Sequence, residues 1–522
     1  MKRVVLAVVV ALVLLIPLVV VGAVLAVREV GSTTSGSLGG DTATAAPHSE
    51  AAGSREAADP ALQSFYDQKL TWTSCGSGND CTTLRVPLDY ADPDGRTIRI
   101  KVLRNPADVA SWRVGDLLVN PGGPGAPGTS YAAGDDTFGK KIYDRFDIIG
   151  FDPRGTGESA PVDCLTDSQL DSFVASDPDP DTAAEETDFV GWAERFGAGC
   201  ASRSGKLARH VSTHEAARDM DVLRAALGDD KLDYLGASYG TKLGATYADL
   251  FPQKVGRLVL DGAVDPTLSA RESSLEQAHG FQVALDAYVD HCVSEGSCYL
   301  GSTRAAALAR ITSFLDDVDA QPLKVGSREL QVGNAFYGII LPLYNRDYWV
   351  YLDDALKAGL KGDGSQLLRF SDLYTSRESD GSYSDNSAEA IYAINCLDDP
   401  SSIPAADVPA QFAAFQKQSP TFGRVFAWGL VGCLGLGKDV KRADWHLDAQ
   451  GAAPIVVVGT TRDPATPLRW AQALASQLES GVLITRDGDG HTGYQMGNRC
   501  VDDAVETYLI DGDAPKQDLD CH

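Results

Sequence analysis

Short apolar runs of strand length recur along this chain, separated by amphipathic stretches of helical length. The runs are Ile98–Leu103, Asp116–Asn120, Phe146–Phe151, Leu232–Leu235 and Arg257–Leu260. Among the intervening stretches, Thr213–Leu227 and Tyr239–Leu250 carry apolar residues at helical spacing, and Pro252 stops the second. Thr213 is the expected N-cap of the first, with Glu215 near its positive end. Strands joined through helices pair in parallel, and such a sheet is covered on both faces. The alternation breaks between Asp265 and Gln450, where Ser273–Val293, Arg304–Val318, Tyr348–Leu360 and Val408–Gln418 read as helices. It resumes with Pro454–Val458 and Gly481–Thr485. A sheet pattern that outlives its interruption points to an insertion. The expected architecture is therefore α/β: a mostly parallel sheet built from 61–265 and 451–522, with a helical lid over 266–450.

With 522 residues at 44% hydrophobic, the chain is ample for a large packed core. Its formal net charge of -27 repels nucleic acid and offers no basic patch to an anionic membrane surface. At the N-terminus, Lys2 and Arg3 precede an apolar run from Val4 to Val27. That is longer than the about 7–15 residues of a secretory core and long enough for a span of about 20. The segment 1–27 is expected to be a membrane anchor with its amino end inside; a cleaved signal is the alternative. Either places the rest outside the cytoplasm. Residues 28–60, rich in Gly, Ser, Thr and Ala, read as a flexible tether. The ten cysteines suit an oxidising compartment. Sequence does not fix their connectivity, but the simplest scheme joins neighbours: Cys75/Cys81, Cys164/Cys200, Cys292/Cys298, Cys396/Cys433 and Cys500/Cys521. No C-x-x-C or paired Cys/His spacing supports a metal.

The stretch Gly236-Ala-Ser238-Tyr-Gly240 matches G-x-S-x-G, which by itself decides little in a chain with 52 glycines. Its context decides more. A short strand runs into it and a helix leaves it, as a turn that exposes a nucleophilic serine requires. A serine hydroxyl needs a base, and the base needs an orienting group. The strand Pro454–Val458 leads to Asp463, and Gly481–Thr485 leads to His491 on a glycine-rich loop, so both emerge at the same sheet edge as Ser238. Asp487 and Asp489 are rival acids that read as turn residues. The strand Asp116–Asn120 opens into PGGPGAPG, whose Gly123 N–H, with that of Tyr239, is the expected oxyanion hole. No G-K-[ST] follows, so this is not a phosphate loop. The residues call for neither cofactor nor metal.

The set NPGGPG, FDPRGTGES, LGASYGTKLGATYADLFP, LDGAVDP, DPATP and GHTG, with the tail CVDDAVETYLIDGDAPKQDLDC, resembles the tripeptidyl aminopeptidase branch of the α/β hydrolases, relatives of proline iminopeptidase. The resemblance runs from about Leu70 to Cys521 and is weakest in the lid. Pro121 stands where proline iminopeptidases usually carry a histidine. The resemblance implies an α/β-hydrolase fold and a serine exopeptidase acting on peptides with a free N-terminus through Ser238, His491 and Asp463. A carboxylate on the lid would hold the substrate ammonium; Glu272, Asp398 and Asp399 are the candidates. Arg154 is expected to be structural. An esterase using the same triad, or a non-catalytic surface binding protein, are the competing readings.

Overall fold

The computed structural model describes residues 55–437, 440–443 and 445–522. The expected anchor or signal at 1–27 and nearly all of the expected tether lie outside the described residues. Among the described residues, no helix is long and apolar enough to cross a membrane.

The strands are β1 (Thr73–Gly76), β2 (Asn79–Pro87), β3 (Thr97–Asn105), β4 (Gly115–Asn120), β5 (Phe146–Phe151), β6 (Leu232–Ala237), β7 (Val255–Asp261), β8 (Leu323–Val325), β9 (Arg328–Leu330), β10 (Ile455–Arg462), β11 (Gly481–Asp489) and β12 (Leu519–Cys521). All but β8 and β9 form one sheet in the order β1-β2-β3-β5-β4-β6-β7-β10-β11-β12. Pairing is antiparallel from β1 to β5 and parallel from β5 to β12. The seven expected strands are all present. Burial explains their legibility: every residue of β5 is buried, and β10 is buried from Ile455 to Thr460. Strand β2 escaped because it carries Asn79, Asp80, Thr82, Thr83 and Arg85 and buries only part of its length.

Before β6 come α1 (Asp167–Ala175) and α2 (Ala183–Gly199); α3 (Thr213–Leu227) precedes β6 and α4 (Tyr239–Leu250) follows it. The bounds of α3 and α4 are those expected, but the cap of α3 is Ser212, whose side chain accepts the Glu215 N–H. Thr213 is turned inward instead, toward Asp398. Gly228, in the left-handed region at φ 93°, closes α3.

Between β7 and β10 the chain is helical: α5 (Ala270–Ser294), α6 (Arg304–Ala320), α7 (Val332–Ile340), α8 (Trp349–Gly359), α9 (Ser365–Thr375), α10 (Ser387–Asp398) and α11 (Phe412–Gln418), with the small β8–β9 hairpin after α6. This insertion has its own apolar core, including Leu285, Ile311, Ile339, Leu352 and Leu367. Truncating such a leucine to alanine costs about 2–5 kcal/mol. Helices α1 and α2 join the insertion: Asp171 pairs with Arg377 at 2.5 Å, and the Phe173 and Phe196 rings lie against Tyr392. Helices α12 (Leu468–Gln477) and α13 (Arg499–Asp511) complete the layers over the C-terminal strands.

The ten cysteines pair as neighbours along the chain: Cys75–Cys81, Cys164–Cys200, Cys292–Cys298, Cys396–Cys433 and Cys500–Cys521. Arg154, fully buried, bonds Asp219 at 2.7 Å and the carbonyls of Pro87, Leu88 and His210, a structural use of its fork of donors.

Candidate active site

Ser238 stands between β6 and α4 at φ 56° and ψ -124°, a conformation costly for any residue with a side chain. The surrounding backbone makes it obligatory. Its N–H donates to the Asp261 carbonyl at 2.8 Å, and its carbonyl accepts from the Thr241 N–H and hydroxyl. A Cβ on Gly236 would lie 2.5 Å from the Gly240 carbonyl, so strand and helix approach this closely only with glycine there. Ser238 is half-buried, while its neighbours Ala237 and Tyr239 are buried.

Asp463 follows β10 and is buried at 2% exposure. Its carboxylate accepts the N–H groups of Ala465, Thr466 and Thr492 at 2.8–3.0 Å and the Thr466 hydroxyl at 3.0 Å. His491 Nδ1 lies 2.9 Å from both carboxylate oxygens. With this carboxylate on Nδ1, the imidazole leaves Nε2 for proton transfer. Burial alone would depress the His491 pKa, but the charge and hydrogen bond of Asp463, with the charge of Asp261, overcome it and raise it above the usual 6.5. The loop is held from above as well: the His491 N–H donates to the Tyr344 carbonyl at 2.8 Å, and the Tyr344 ring stands edge-on to the imidazole.

The loop after β4 meets the elbow directly. Gly122, at φ +99°, comes so close that a Cβ there would lie 2.8 Å from Ser238 Cβ and 2.9 Å from the Tyr239 nitrogen. Asn120 Oδ1 takes the Gly122 N–H. The N–H groups of Gly123 and Tyr239 have no partner among the described residues. Helix α10 of the insertion covers this loop, since a Cβ on Gly125 would lie 3.0 Å from Ala390 Cβ.

The three carboxylates assigned to a substrate ammonium are engaged elsewhere. Asp398 is buried, accepts from the Thr213 N–H and hydroxyl, and pairs with Lys242 at 2.7 Å. Asp399 accepts the Ala270 and Ser401 N–H groups and pairs with Arg442. Glu272 closes a capping box with Ser269 at the start of α5. Acidic residues serve caps and ion pairs as readily as ligands, and in this structure each of the three already has such partners. Of the rival acids, Asp487 pairs with Arg462, and Asp489 with both Arg462 and Arg346. Asp261 had no place among the expected site residues; its only signal was its position in LDGAVDP at the end of a strand.

Two groups of possible metal ligands occur among the described residues, Asp89/His210/Glu215 and Asp177/Glu185/Asp319, and neither includes a residue of this site.

A family model described as TAP-like protein matches residues 419–521. Serine protease Hip1 of Mycobacterium tuberculosis is 37% identical over 478 residues, covering 87% of this chain and 91% of that protein. Carboxylesterase B of the same organism is 36% identical over 460 residues, covering 84% and 86%. The tripeptidyl aminopeptidase of Streptomyces lividans is 31% identical over 507 residues, covering 90% and 89%.

Proposed function

Because the chain belongs to the tripeptidyl-aminopeptidase branch of the α/β hydrolases and is a serine hydrolase, we propose that it is an extracytoplasmic exopeptidase that removes short peptides from free N-termini through Ser238, His491 and Asp463. The observation that carries this reading is the buried carboxylate of Asp463 fastened to His491 Nδ1, at the same carboxyl edge of the parallel sheet as the strained Ser238 elbow.

In this mechanism His491 Nε2 takes the Ser238 proton as Oγ attacks the scissile carbonyl. Asp463 fixes the imidazole and stabilises the imidazolium that forms. The carbonyl oxygen, now negative, receives the Gly123 and Tyr239 N–H groups, each worth about 3–4 kcal/mol of barrier. His491 then gives its proton to the leaving amine, the C–N bond breaks and an acyl-enzyme remains. A water molecule, deprotonated by His491, releases the acid and restores the serine. The relatives named serine protease and tripeptidyl aminopeptidase support a peptide substrate. The five disulfides support an oxidising location, outside the cytoplasm.

A relative named carboxylesterase favours a second reading, turnover of small acyl esters at the same serine. Chromogenic tripeptidyl anilides, their amine-blocked counterparts and acyl esters separate the two. Anilide turnover that disappears on amine blocking, and in Ser238→Ala, supports the exopeptidase. Ester turnover alone supports the alternative. Failure of a serine-directed phosphonate to label Ser238 defeats both.

A further inference from the structure

We infer that Asp261 is a second positioning carboxylate of the site, tying the Ser238 elbow and the His491 loop to one strand end and adding its negative charge to that of Asp463 beside the imidazole. The inference rests on the triad reading above.

Strand β7 lies between the strand that carries Ser238 and the one that carries Asp463, and Asp261 is its last residue, in register with Ala237 of β6 and Val458 of β10. Its carbonyl accepts the Ser238 N–H at 2.8 Å. Its two carboxylate oxygens accept the N–H groups of Gly493 at 2.7 Å and Tyr494 at 2.9 Å, just beyond His491. The next residue, Gly262, donates to the Val458 carbonyl at 3.0 Å, and a Cβ there would lie 3.4 Å from His491 Cε1. One short segment thus touches the Ser238 elbow after β6, strand β10 and the loop that follows His491.

Two N–H donors arriving at two separate oxygens call for a carboxylate, since an amide could accept only one. The ionised form stands among His491 and Asp463, Arg486 of β11 and the neutral phenol of Tyr131. Burial pushes this carboxyl up to about 6, against the pull of the Gly493 and Tyr494 N–H groups and of His491. It is therefore charged at neutral pH and loses its charge in mild acid.

The sign of its effect is fixed. A nearby anion favours imidazolium, so it raises the pH at which His491 becomes a base. Removing the charge lowers that pH, whereas removing a purely structural tie lowers activity at every pH alike. In the full chain, Asp261→Asn should therefore move the acid limb of the kcat/KM profile on a tripeptidyl anilide with a free amino end down by about one pH unit. Its alkaline plateau should fall by about tenfold or less. A plateau loss with the limb unmoved overturns the inference. Ser238→Ala is assayed alongside: if it retains turnover, the triad reading itself has failed, a different outcome from an unmoved limb. Should Asp261→Asn not fold, the His491 Cε1–H resonance in the Ser238→Ala protein gives the same answer. Two inflections, one from the imidazole and one from Asp261, uphold the inference, and a single inflection defeats it.

Discussion

Replacing Asp463 by asparagine tests the centre of the proposed mechanism. The carboxylate is buried and lies 2.9 Å from His491 Nδ1. Unit charges at that separation, with an effective dielectric constant of about 20, attract by about 6 kcal/mol. In the wild type this attraction grows as His491 becomes imidazolium on the way to the tetrahedral intermediate. With an amide there it is lost, and an asparagine NH2 facing Nδ1 also favours the wrong tautomer. At about 1.4 kcal/mol per factor of ten, kcat should fall by about 10⁴ while KM changes little. Steady-state kinetics on a tripeptidyl anilide reads this directly. Circular dichroism melting serves as the control, because the N–H groups of Ala465, Thr466 and Thr492 also depend on that carboxylate. A folded Asp463→Asn protein within about tenfold of wild-type kcat would refute the reasoning, since leaving one partner of a buried ion pair uncompensated costs about 3–5 kcal/mol, well above the about 1.4 kcal/mol that tenfold represents.

The remaining predictions concern the same site. The raised pKa of His491 means that imidazolium persists above the ordinary 6.5, so the acid limb of wild-type kcat/KM should lie above pH 6.5. A limb at pH 6 or below would contradict the pairing with Asp463. Gly122→Ala places a Cβ 2.5 Å from the Ala237 carbonyl and must push the loop off the elbow. With the Gly123 N–H displaced, kcat should drop by about 10²–10³ without a matching rise in KM. Unchanged kcat in a folded variant would remove Gly123 from the oxyanion hole.

Much of this molecule was readable in its letters because the features concerned are local. Strands buried on both faces have to be apolar throughout, so β5 and the first part of β10 announce themselves. The elbow needs glycines at fixed offsets, so Ser238 stands out once strand and helix flank it. What stayed hidden depends on distant partners. Strand β2, in the antiparallel part of the sheet, is only partly buried and lacks a continuous apolar run. Helices α1 and α2 precede β6, yet they pack against a layer formed about two hundred residues later, a proximity no spacing reveals. The partners of Asp398, Asp399 and Glu272 were hidden for one reason: a carboxylate is a cap, an ion-pair partner or a ligand according to what folds beside it. Asp261 was passed over for the same reason, because its donors come from residues 238, 493 and 494.

The bond between the His491 N–H and the Tyr344 carbonyl ties the helical insertion to the loop that carries the proposed catalytic histidine. Moving segment 341–348 away from His491 would break this bond to the histidine's own backbone. Grafting a foreign roof onto this base would then alter turnover as well as selectivity. An engineer seeking new substrates would do better to recarve the ceiling around a preserved Tyr344 than to exchange it whole.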